Sequence, residues 1–84
     1  MSVEAARRSF SNPTTIGTLQ FNASSDRLLS GDGKGRVTIW SAKTGEILKR
    51  WQLPGWVWDA KLSPDESMIA TANDDGTIYL LRAP

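Results

Sequence analysis

The 84-residue chain is 39% hydrophobic and 23% charged, carries four tryptophans and has a net charge of +1, a globular balance that excludes disordered and fibrous classes. Cysteine is absent, which removes disulfide stapling, thiol chemistry and thiolate metal sites. Lysine and arginine are scattered among aspartate and glutamate, so there is no basic stripe to track a phosphate backbone and no nucleic-acid partner is expected.

In chain order, residues 3–10 read as an outer strand by correspondence with 45–52, although Glu4 to Arg8 alone would suit a helical turn. Pro13 stops that strand. Ile16 to Phe21 forms a short apolar strand, a polar turn follows, and Arg27 to Ser30 forms the next. Gly33-Lys34-Gly35 has the chemistry of a tight hairpin. Arg36 to Trp40 then alternates β-branched and aromatic residues, as strands do, and Glu46 to Trp51 adds a fourth strand. The order then repeats: Pro54, Val57 to Leu62, Met68 to Thr71, an Asp74-Asp75-Gly76 turn, and Thr77 to Leu81.

The repeat has a constant offset. Phe21 to Trp40 aligns without a gap on Leu62 to Leu81, an offset of 62 − 21 = 41 residues. Phe10 then falls on Trp51, Pro13 on Pro54, Ile16 on Val57 and Gly35 on Gly76.

Val57-Trp58-Asp59-Ala60-Lys61-Leu62-Ser63-Pro64-Asp65 and Asp75-Gly76-Thr77-Ile78-Tyr79-Leu80 resemble the second and fourth parts of a WD40 repeat, whose period is about 40–45 residues. The resemblance implies an all-β fold of WD40-type β-propeller blades: two four-stranded blades' worth, in units 3–43 and 44–84. A propeller takes about four blades or more, so the ring is expected to be completed by oligomerisation or by a longer parent chain. The family's tetrad joins Trp, Ser or Thr, His and Asp. Here the first unit has Trp40 and Ser30, with Asn12 at the His position and Lys34 at the Asp position; the second has Thr71 and Asp75, with Leu53 and Leu81 replacing His and Trp. Neither network is expected in its usual form, and the chain has no histidine.

The second blade lacks its outer strand, and the strand at 3–10 precedes the first blade. It is expected to dock on a neighbouring chain, with Val3 and Phe10 meeting Ile78 and Leu80. This would protect a sticky edge. Four chains would give eight blades and three would give six, with eight preferred. Phe10, Trp40, Trp51, Tyr79 and Leu81 are expected to pack between blades. Trp56, Trp58 and Asp59, at the entry to an innermost strand, are candidates for contact with a protein or peptide ligand, because aromatic residues often anchor interfaces.

Other features read as structural. Lys34 lacks phosphate-loop spacing. Asp59, Asp65, Glu66, Asp74 and Asp75 lie in turns without a base-activating partner or calcium-loop spacing. Arg7-Arg8 and Lys49-Arg50 read as solvated pairs. No catalytic, cofactor or metal site is expected. No window approaches about 18 apolar residues and the N-terminus lacks a signal-peptide core, so a cytoplasmic, membrane-free chain is expected. The leading reading is a non-catalytic interaction scaffold. The alternative is a two-blade fragment of a larger WD40 protein, and the remote one a hydrolase with a site at the channel face.

Overall fold

A computed structural model describes residues 9–84. Seven strands form two antiparallel sheets: β1 (Ile16–Phe21), β2 (Arg27–Asp32), β3 (Arg36–Ser41) and β4 (Ile47–Gln52), in that spatial order, then β5 (Val57–Leu62), β6 (Met68–Asn73) and β7 (Ile78–Arg82). The fold is all-β, one four-stranded blade and three strands of a second. Val3 and most of the expected strand at 3–10 lie outside the described residues; Ser9 and Phe10 are not in a strand.

The 41-residue period recurs in the backbone. Asn22 N–H donates to Arg27 O and Ser63 N–H to Met68 O; Gly33 N–H donates to Thr15 O and Asp74 N–H to Trp56 O. Ser25 and Glu66 share φ 61°, and Gly35 and Gly76 share φ 82°. A left-handed residue in each turn explains the two glycines. Ser25 and Glu66 carry the same conformation at a cost, which side-chain bonds offset in the second turn. There Asp65 Oδ1 accepts from Ser67 Oγ at 2.7 Å, Ser67 N at 3.0 Å and Ser63 Oγ at 2.8 Å. The Ser67 bonds, with Ser63, hold its pKa at about 2.

β2 and β6 run two residues beyond the expected Ser30 and Thr71, because Gly31 pairs with Val37 and Ala72 with Ile78. The ladders thus draw Asp32 and Asn73 into strands rather than turns.

Alternation gives each sheet two faces. Leu29, Val37 and Ile39 of the first sheet, with Leu53, bury against Val57, Ala60 and Ile69 of the second. Each larger side chain fully buried there contributes about 1.5–3 kcal/mol. Trp51, Leu62, Tyr79, Leu81 and Ala83 pack around the rim of this seam. Thr18 Oγ1 donates to Asp59 Oδ1 at 3.0 Å, Leu62 N–H to Gln20 Oε1 at 3.1 Å and Ala23 N–H to Glu66 Oε2 at 3.1 Å, tying the sheets together.

Candidate interaction surface

β1 and β5 each carry a bulge at the same place in the repeat, between Ile16 and Thr18 and between Val57 and Asp59. A bulge leaves one residue out of the ladder and re-aims its side chain. In β5 that residue is Trp58, 60% exposed, with its ring stacked on Trp56 at 5.4 Å and 14°. In β1 it is Gly17, where a Cβ would stand 3.1 Å from Trp56 Nε1. Gly33 gives the Trp56 ring a second flat seat, with a Cβ there 3.5 Å away. Trp56 is also fixed by its backbone: its N–H donates to Asp74 Oδ1 and its carbonyl accepts from Asp74 N–H, both at 3.0 Å. One indole is thus held as a platform and the other presented upon it.

Asp59, grouped with these tryptophans in the sequence, has a different task. Its Oδ1 accepts from Thr18 and from Ala60 N–H, while Lys61 Nζ lies 3.7 Å from Oδ2. The exposed Lys61 pair contributes little; the Thr18 bond joins the sheets. Asp75 Oδ1 accepts from Thr77 N–H within its turn.

Trp40 is buried, and its Nε1 donates to Ser30 Oγ at 2.8 Å. Lys34, which stands at the family's Asp position in the first unit, lies in an exposed turn. Asp32 is the carboxylate that enters, 1% exposed. It accepts from the Asn12 amide at 2.9 Å, from the backbone N–H groups of Lys34 and Arg36, and from Arg36 Nε at 3.0 Å. Burial pushes the Asp32 carboxyl up, but the Asn12 bond, the two backbone bonds and the Arg36 charge outweigh it and leave the pKa below the usual carboxylate range.

Arg50 corrects another expectation. Rather than a solvated surface cation, it is half-buried, donating to Thr38 Oγ1 at 2.8 Å and Asn12 Oδ1 at 2.9 Å, with its guanidinium 5.6 Å from the Trp40 ring centroid. Alternation along β3 carries the clue, since Arg36, Thr38 and Trp40 share a face and leave Arg50 opposite Thr38.

Phe10 stacks on Trp40 at 5.9 Å and 20°. Trp51, Tyr79 and Leu81 lie on the intersheet seam. Ile78 and Leu80 point away from it, 72% and 66% exposed. Among the described residues, no group of three or more His, Cys, Asp or Glu side chains could hold a metal ion, and no helix is long and apolar enough to cross a membrane.

A family model described as WD domain, G-beta repeat, matches residues 45–81. The chain is 31% identical over 71 residues to eukaryotic translation initiation factor 3 subunit I of Emericella nidulans, covering 79% of this chain and 21% of that protein. It is 28% identical over 74 residues to the Schizosaccharomyces pombe subunit, covering 82% and 23%. The chain therefore spans about a fifth of the length of the curated relatives it matches. Among solved structures, the β-propeller domain of Myceliophteria thermophila Cps50 (Swd1) superposes with a TM-score of 0.75 at 27% identity, over 82% of this chain and 21% of that one. The computationally designed Ika4 protein superposes with a TM-score of 0.75 at 19% identity, over 87% and 44%, a likeness of fold alone.

Proposed function

Because the chain belongs to the WD40-repeat β-propellers, we propose that it is a non-catalytic interaction scaffold, its two repeat units (3–43 and 44–84) completed into a ring by further blades. It presents Trp56 and Trp58 to a protein or peptide partner. The observation that carries this reading is the stacked indole pair. An apolar ring 60% exposed, re-aimed by a bulge and seated on a second ring held by glycines and Asp74, is costly to leave in water. It suits a contact that desolvates it.

Two ways of completing the ring follow. Three or four chains closing head to tail would give six or eight blades. The match to only about a fifth of each curated relative is the observation that supports a second arrangement, in which these blades belong to a longer WD40 protein. The likeness to subunits of a translation initiation factor supports a cytoplasmic setting, and the scattered charge supports a protein rather than a nucleic-acid partner.

Selection of displayed peptides on the folded chain, counter-screened against Trp58→Ala, tests the scaffold reading. The expected result is a set of peptides whose binding weakens at least about tenfold in the variant, the loss of roughly 1.4 kcal/mol. Peptides that bind both chains equally would remove the indole pair as the interaction surface.

A further inference from the structure

We propose that the two open sheet faces are the two halves of one interface, and that its occupant is a second copy of this chain stacked head to tail. The inference rests on the propeller reading above and names the blade that completes it.

The argument starts from the seam already closed within the chain. The first sheet offers it Leu29, Val37 and Ile39; 41 residues later stand Ala70, Ile78 and Leu80, all exposed on the outer face of the second sheet. The second sheet offers Val57, Ala60 and Ile69. Their counterparts 41 residues earlier are Ile16, Leu19 and Leu28, which with Phe10, Ser30 and Trp40 line an apolar hollow on the outer face of the first sheet. Each open face therefore repeats a face that is buried elsewhere in the same molecule.

The sizes choose the occupant. Inside the seam, the first sheet supplies the large Leu29 and the second the small Ala60. At a junction between copies, the second sheet would supply the small Ala70 and the first the large Leu19. The trade is reversed and the summed volume of this pair kept, which is what close packing requires. A blade of unrelated sequence has no built-in reason to match that reversal. Two positions are fuller: Val37 becomes Ile78, and Gly31 beside Val57 becomes Ala72 beside Ile16, so the junction between copies stands slightly wider there.

Phe10 supports the same arrangement. It stacks on Trp40, and the counterparts of this pair, Trp51 and Leu81, both line the intrachain seam. Phe10 thus fills, on the open face, the seat that an outer-strand residue takes between two blades.

Polar contacts rank the two junctions. Thr18 has one hydroxyl hydrogen, already given to Asp59 within the chain, so that bond is not repeated across copies. The Gln20 acceptor is replaced by Lys61, which cannot accept, and the Ala23 N–H by Pro64, which has none. The junction between copies lacks all three of these seam bonds and separates first, into folded two-blade chains.

Native mass spectrometry of the full 84-residue chain at micromolar concentration, with sedimentation in parallel, tests this. Leu19→Glu spoils one face and Leu80→Glu the other, and both sites are exposed on the single chain, 61% and 66%. Each variant should stay folded by circular dichroism and lose self-association by about 100-fold or more, as a charge is buried unpaired. Mixed, the two should form a one-to-one heterodimer and nothing larger, because one sound junction remains. If either variant fails to fold, Phe21→Glu and Ile78→Glu replace the pair. A folded wild-type monomer, variants that assemble like wild type, or a mixture that stays monomeric would overturn the second copy. None of these results bears on peptide binding at Trp58, so the scaffold reading stands or falls separately.

Discussion

Gly31 lies so close to Val57 across the intersheet seam that a Cβ on the glycine would stand 2.6 Å from Val57 Cγ1 and 2.8 Å from Thr18 Cγ2. The glycine lets the two sheets approach closely where Val57 is fully buried.

Gly31→Ala should therefore force the sheets apart and destabilise the chain by about 1–3 kcal/mol, the usual cost of overpacking. Val57→Ala alone should leave a cavity, while the double variant should cost less than the two singles summed, since each relieves the other. Urea unfolding of all four chains at one concentration gives the coupling. Strict additivity would show that the seam is loosely packed here.

Trp40→Ala should cost about 3–5 kcal/mol, because the ring is buried and its removal strands Ser30, Phe10 and Arg50 at once. Trp58→Ala should cost about 0.5 kcal/mol or less, as for an exposed residue outside the core. Denaturant unfolding at equal chain concentration compares them fairly, since assembly makes stability concentration-dependent. Equal losses would make the Trp58 indole a structural group.

Acid should weaken the fold through Asp32. Its pKa is lower folded than unfolded, so its contribution is complete above the unfolded value of about 3.9. It is lost as pH falls through the lowered folded value. Asp65, held at about 2, adds loss in the same direction. The urea midpoint should drop between neutral pH and about pH 2, and Asp32→Asn should flatten that slope while lowering stability at neutral pH. A variant with the wild-type slope would show that another carboxylate governs acid unfolding.

The repeat, its strands and its turns were legible in the sequence because they depend on local chemistry: β-branched alternation, a proline before each inner strand, and glycine where φ is positive. The stacking of Trp56 on Trp58 was half legible. Both indoles could be placed at the entry to an inner strand, but the bulge that re-aims Trp58 arises from ladder register, which pairs distant residues. Asp32 and Arg50 were hidden for the same reason. One resembled a turn residue and the other a surface cation until the pairing of β2, β3 and β4 buried them against Asn12, Thr38 and Trp40.

By itself, then, the sequence determined that this is an all-β chain of two like units with period 41, since strand periodicity and turn formation are settled within a few residues. Only the tertiary structure decided which face of each strand is closed. Leu28 and Leu29, or Ile78 and Tyr79, are neighbours of comparable apolar character, and a period of two puts them on opposite faces without ranking them. Packing of one sheet on the other buries Leu29 and half-buries Tyr79, and leaves Ile78 and Leu80 in water, because each sheet has two apolar faces and a two-blade chain can close only one of them.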